Sequence, residues 1–155
     1  MIHCLILIRG LPGCGKSAVA SAMSVGYPGS VVVSADDFFM QLSDSGILEY
    51  RFDPKLLGQA HHDCQAKTGF HSENGRTVIV ANTFTQRWEM DWYINLAQNC
   101  GARLIVVDCF DGGMSNDILA KKNVHGVPIS AIQAMRDRYE HDWRNGDPRP
   151  PWARK

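Results

Sequence analysis

Eight residues near the start, Gly10-Leu11-Pro12-Gly13-Cys14-Gly15-Lys16-Ser17, constrain this chain more than any other stretch. They follow an apolar run at 2–8 and precede an Ala-rich helical pattern at 17–25 that Gly26 closes. Glycines at 10, 13 and 15 allow the backbone to curl so that successive N–H groups converge on one point. A helix starting there adds the partial positive charge of its amino end. A buried strand, a curled loop and a helix in that order make a cradle for an anion.

Three further apolar runs, at 30–34, 77–81 and 103–109, alternate with helical patterns. They are near-continuous and rich in Val, Ile and Leu, as strands of a parallel sheet covered on both faces are. The second helix is expected to start at Asp53 as cap, with Pro54 at its first position and Leu56, Leu57, Ala60 and Cys64 inward, and to fade at Asn74-Gly75. A third covers about 86–99, burying Tyr93, Leu96 and Cys100, and stops at Gly101. A fourth covers about 115–123. The last is read from a capping box, Ser130-x-x-Gln133, with Ile132, Met135 and Tyr139 on one stripe to about residue 143. No repeat or linker divides the chain, so one domain over 1–146 and a Pro/Arg-rich tail over 147–155 are expected.

Sixteen basic residues balance sixteen acidic ones among 155, which excludes a global positive field for nucleic acid; a polynucleotide would need a local patch. The apolar run at 4–8 is too short for a signal-peptide core, and no membrane partner is expected, so a cytoplasmic location is the default. Five cysteines without a CxxC pair read as reduced thiols.

The loop satisfies G-x-x-x-x-G-K-[ST], the P-loop of nucleoside-triphosphate-binding proteins. The expected binding set for ATP or another NTP is Gly10, Pro12, Gly13, Cys14, Gly15, Lys16, Ser17 and Ala18. Lys16 reaches the terminal phosphates, and the Ser17 hydroxyl ligates Mg2+. Cys14 fills a free position, either as a neutral filler or as a thiolate favoured by the helix amino end.

The second strand ends in Ser34-Ala35-Asp36-Asp37, on the sheet edge where open α/β folds bind ligands. Asp36 can accept the proton of an attacking hydroxyl, or it can cap the following turn. Together with the P-loop, three further segments resemble the small P-loop kinases grouped with 5′-hydroxyl polynucleotide kinases: 34–39; Asn82-Thr83 with Trp88-Glu89-Met90; and His125-Gly126-Val127-Pro128 with Arg138-Tyr139-Glu140. The resemblance spans nearly the whole chain. It implies a three-layer α/β P-loop NTPase fold, nucleoside/polynucleotide kinase-like, with a small parallel sheet flanked by helices. It also implies that Asp36, rather than Asp37, is the general base toward a 5′-OH DNA or RNA end.

Two departures from that family stand out. Its acidic residue after the third strand is Asn82 here, which can orient a phosphate or a magnesium-bound water but supplies no charge. Asp108, ending the fourth strand, is the secondary candidate for the metal side. The family's lid arginines are replaced by Lys121 and Lys122, read either as phosphate-neutralising charges or as solvated charges closing a helix. Arg87 is the better phosphate-binding arginine, since it follows a strand on the crevice side, whereas Arg136 and Arg138 read as surface or ion-pair residues.

His61, His62, Cys64 and His71 do not share one helical face and read as core or surface residues rather than metal ligands. Phe84, Trp88, Trp92 and Tyr93 fit either base stacking or core packing, and their spacing favours the core. The leading expectation is a kinase with Asp36, Lys16, Arg87 and Lys122 as its catalytic residues. A small-molecule or nucleoside kinase and a nucleotide-binding interaction module are the alternatives.

Overall fold

The computed structural model describes residues 3–140. Four parallel strands form its main sheet: β1 (Cys4–Arg9), β2 (Val31–Val33), β5 (Val78–Ala81) and β6 (Arg103–Asp108), in the order β2-β5-β1-β6. Every residue of β1 and β5 is buried, as their unbroken apolar sequences require of strands covered on both sides. In register, Leu7 sits beside Val80 and Val106, and Arg9 beside Asp108.

Helices form the outer layers. On one face α1 (Lys16–Gly26) packs through Ala20 against Ile6, Ile8 and Ile79. On the other, α2 (Leu57–Glu73) and α3 (Asp91–Cys100) enclose the larger core with Phe39, Cys64, Tyr93 and Leu96. A third cluster, Leu11 with Leu119 and Ile132, joins α4 (Asn116–Lys122) and α5 (Ile129–Asp137) to the glycine-rich loop. The expected α/β architecture, a small parallel sheet flanked by helices, is the one observed.

Local chemistry explains most element ends. Asp53 accepts from the Lys55 amide at 2.9 Å and starts a 3-10 turn, Pro54–Leu56, that runs into α2. Ser115 caps α4 through the Ile118 amide, and Gly101 closes α3 in the left-handed region at a φ of 68°.

The last helix corrects its sequence reading. It begins at Ile129 behind Pro128, so Ser130 lies inside it and caps nothing. Gln133 instead donates to Asp137 and accepts from Asn116, both at 2.6 Å. The helix ends at Asp137 because the Glu140 amide turns away to the Thr85 carbonyl, 2.8 Å off. Residues 141–143 of that expected helix, and the expected tail at 147–155, lie outside the described residues. Unforeseen is an antiparallel hairpin, β3 (Met40–Leu42) with β4 (Leu48–Tyr50), which pairs Met40 with Tyr50. Among the described residues no helix is long and apolar enough to cross a membrane.

Candidate active site

The glycine-rich loop leaves β1 and enters α1 through Gly15, which serves as the cap at a φ of 103° with no side-chain hydrogen bond. The first amides of any helix lack carbonyl partners, and α1 carries no acidic residue in its first turn to occupy them. Lys16, Ser17 and Ala18 make up that turn, with Pro12 and Cys14 in the preceding loop. The cradle therefore suits a phosphate chain by its own geometry.

Two glycines are fixed by close packing. A Cβ at Gly13, whose φ is 77°, would collide with the Leu119 carbonyl oxygen of α4. A Cβ at Gly10 would lie 2.6 Å from Cys14 Sγ and 2.8 Å from the Cys109 carbonyl oxygen. The loop thus has α4 against one side and the end of β6 against the other. Lys16 Nζ donates to the Leu11 carbonyl at 2.9 Å, folding back over the loop. Burial lowers its pKa, opposed by Cys14, Cys109 and Asp36 nearby. A phosphate anion would relieve that burial cost by supplying counter-charge.

Cys14 is lowered to about 7, chiefly by its hydrogen bond with the Cys109 thiol, with the Lys16 charge adding to this against burial. Cys109 is raised by the same bond and by burial. While Cys14 is protonated, the single S–H of Cys109 has the Cys14 carbonyl as its acceptor at 3.4 Å.

Across the crevice, the turn after β2 separates the two aspartates. Asp37 accepts from the Ser34 amide at 2.9 Å in a reciprocal capping box, while Ser34 accepts from the Asp36 amide. Asp37 therefore closes the turn and Asp36 is released from capping. Asp36 Oδ1 accepts the Tyr50 hydroxyl at 2.8 Å, and Oδ2 faces His125 Nε2 at 3.5 Å. Its side chain remains 46% exposed. Burial and the bond to Asp36 raise the Tyr50 pKa, so its hydroxyl stays a donor.

Other expected residues have internal partners. Asn82 is buried, accepts from the Ala35 amide at 2.9 Å and donates to Cys64 Sγ at 3.6 Å. Its oxygen thereby positions the turn that carries Asp36. Asp108, expected on the metal side, has one oxygen engaged within the protein. Arg9 beside it is fully buried and needs counter-charge, so Asp108 Oδ1 lies 3.6 Å from its Nη1 and also accepts the Tyr139 hydroxyl at 3.0 Å.

The Arg87 amide donates to Glu140 Oε2 at 2.8 Å, tying the 3-10 turn Arg87–Met90 to the segment after α5. Lys122 ends α4, with Nζ 3.7 Å from Met114 Sδ. Arg136, read as an ion-pair residue, does pair with Asp111 at 2.7 Å. Phe84 and Tyr93 belong to the core, whereas Trp88 and Trp92 are exposed. Among the described residues no group of three His, Cys, Asp or Glu side chains could hold a metal ion.

Two residues, Arg9 and Tyr50, escape the sequence reading as parts of this site, and a third, His125, enters it only within the 125–128 segment, with no role of its own. Arg9 ends an apolar run, where its charge gives no hint of complete burial. Tyr50 lies in Leu48-Glu49-Tyr50-Arg51-Phe52, whose strict alternation is the one signal that marks it. His125 sits between short elements with no periodicity of its own.

Known proteins show the same organisation. The chain is 34% identical over 140 residues to human NEDD4-binding protein 2, a match covering 88% of this chain and 8% of that protein. The chain therefore spans under a tenth of this relative's length. Its fold resembles that of Kti12 from Chaetomium thermophilum, solved with ADP-AlF3, at a TM-score of 0.67 and 16% identity, covering 95% of this chain and 86% of the other. It also resembles a chain of the Pnkp1/Rnl/Hen1 RNA repair complex, at a TM-score of 0.66 and 21% identity, covering 88% and 44%. The family model described as an AAA domain matches residues 5–141, and the chain, a P-loop kinase-like domain, belongs to that family.

Proposed function

We propose that this protein transfers the terminal phosphoryl group of ATP to a hydroxyl acceptor, and that the acceptor is the 5′-OH of a polynucleotide. The observation that carries the reading is that Asp36, released from capping and 46% exposed, lies near enough to the buried Lys16 of the phosphate cradle for its charge to oppose, with Cys14 and Cys109, the burial that lowers the Lys16 pKa. A proton acceptor and a phosphate-binding cation thus face one space.

ATP with magnesium supplies the transferable group and neutralises the charge on its oxygens. The chain's own residues do the rest. Amides of the Gly10–Ser17 loop and of the first turn of α1 hold the phosphates, and Lys16 leaves its Leu11 contact to reach the terminal ones. The Ser17 hydroxyl would hold magnesium, while Asp108 anchors Arg9 and Tyr139. Asp36 takes the proton of the acceptor hydroxyl as its oxygen attacks the terminal phosphorus, the bond from that phosphorus to the bridging oxygen breaks and ADP leaves, with Arg87 and Lys122 offsetting charge.

The polynucleotide acceptor is supported by the sequence resemblance and by the fold shared with a chain of an RNA repair complex. Labelled ATP with a panel of acceptors tests both parts. Label on a 5′-OH oligonucleotide that disappears in Asp36→Asn is the expected result. Label only on small alcohols or nucleosides would shift the acceptor class, and saturable ATP uptake without transfer to any acceptor would contradict the kinase reading.

A further inference from the structure

Each carboxylate oxygen of Asp36 already has a partner, and the two partners come from different parts of the fold. Oδ1 is bound by the Tyr50 hydroxyl, delivered by the β3–β4 hairpin. Oδ2 faces the His125 imidazole, delivered by the connection between α4 and α5. The rings of Tyr50 and His125 pack on one another at 4.3 Å between centroids, so hairpin and connection meet over the aspartate. Tyr50 is steadied from below by the buried Phe39, 5.9 Å away at 71°.

A base must come within roughly 2.6–3.2 Å of the proton-bearing oxygen it serves. Oδ1 is taken by a hydroxyl that stays protonated, which leaves Oδ2 for an acceptor, and His125 Nε2 stands at that oxygen. The connection carrying His125 is short and punctuated. Asn123 Oδ1 holds the His125 amide at 2.7 Å, Gly126 follows at a φ of 69°, and Pro128 caps α5.

We infer that Tyr50 is the positioning residue that presents Oδ2 of Asp36 to the acceptor, and that His125 is a latch which the acceptor hydroxyl displaces. The inference rests on Asp36 being the base. Acceptor binding then releases the α4–α5 connection, whose α4 packs on Gly13 of the phosphate cradle. Occupancy of the acceptor side is thereby communicated to the donor side through one short segment.

The roles separate in kinetics. Tyr50→Phe keeps the ring and its packing and removes only the hydroxyl. It should lower kcat roughly tenfold, the size of a lost hydrogen bond to a charged group, with acceptor KM unchanged. His125→Ala removes the competitor and should lower acceptor KM several-fold, on the order of three- to tenfold, without a matching fall in kcat. The assay is steady-state phosphorylation of a single-stranded 5′-OH oligonucleotide, with Asp36→Asn alongside.

Wild-type kinetics in both Tyr50→Phe and His125→Ala while Asp36→Asn is inactive overturn this inference alone. Full activity in Asp36→Asn overturns the assignment of the base as well. A second measurement needs no acceptor: amide hydrogen exchange over residues 123–128 of the ligand-free protein. Release of the latch in Asp36→Ala should speed exchange there by roughly tenfold while leaving β1 and β5 unchanged. Exchange equal to wild type in that segment overturns the latch, whatever acceptor the enzyme uses.

Discussion

The guanidinium carbon of Arg9 lies 4.3 Å from the centroid of the Tyr139 ring, and its three nitrogens donate to the carbonyls of Phe84, Thr85 and Glu140 at 2.9–3.1 Å. This buried cation pins the segment after α5 to the edge of the sheet, one residue before the phosphate cradle. Arg9→Met would remove the buried counter-charge of Asp108 and one donor from each of the carbonyls of Phe84, Thr85 and Glu140. Breaking such a pair from one side costs about 3–5 kcal/mol, which chemical denaturation should register as a lower midpoint.

Crowding at Gly13 gives a second prediction. Gly13→Ala forces a Cβ into the Leu119 carbonyl at a left-handed φ, whereas Gly29→Ala faces open space at a similar φ of 80°. The first should cost about 2–4 kcal/mol, combining overpacking with backbone strain, and the second about 1 kcal/mol. Thermal unfolding of the two variants side by side isolates the contact with α4, and nucleotide affinity should fall only in Gly13→Ala.

Asp36→Asn keeps the acceptor side sterically intact and removes the proton acceptor. The expected loss in kcat is roughly 10²- to 10⁴-fold, the usual range for a general base, with ATP affinity nearly unchanged. Phosphotransfer and nucleotide titration on the same preparation check both halves.

The Cys14 thiol provides a pH-dependent readout of the cradle. With its pKa lowered to about 7 from 9.0, the thiolate fraction grows as pH rises through neutrality and falls to about a tenth one unit below that pKa. At pH 7 about half is ionised, against roughly 1% of an unshifted thiol, while its lower basicity removes about tenfold in nucleophilicity. Iodoacetamide should therefore label Cys14 roughly fivefold faster than an unshifted thiol, with half-maximal rate near pH 7. Bound ATP should slow the labelling.

How far the sequence speaks for the structure differs from element to element. The two inner strands are legible because a strand buried on both faces, such as Val78–Ala81, has to be apolar at every position, and the outer two, β2 and β6, keep enough of that apolar run to be read although they are partly exposed. The loop Gly10–Ser17 is legible because its glycines answer local demands, among them the approach of Leu119 to Gly13. The β3–β4 hairpin is not, since its strands have three residues each and much of their surface is exposed. The ends of the site are set by tertiary contacts that leave no periodic trace. Arg9 is drawn inward by carbonyls 75 and more positions away, and Asn82 is turned toward Ala35 rather than the crevice. Asp108 carries the charge expected of a metal-side acid, and only the burial of its neighbour reveals its engagement by Arg9 and Tyr139.

Isothermal titration of magnesium and a non-hydrolysable ATP analogue into the wild-type protein and Lys16→Ala tests the central claim most directly. Charge-assisted hydrogen bonds of about 1.5–3 kcal/mol set the expected effect, so the wild type should bind at one saturable site and the variant roughly 10- to 100-fold more weakly. No uptake by folded wild-type protein, or equal uptake by Lys16→Ala, would contradict the account.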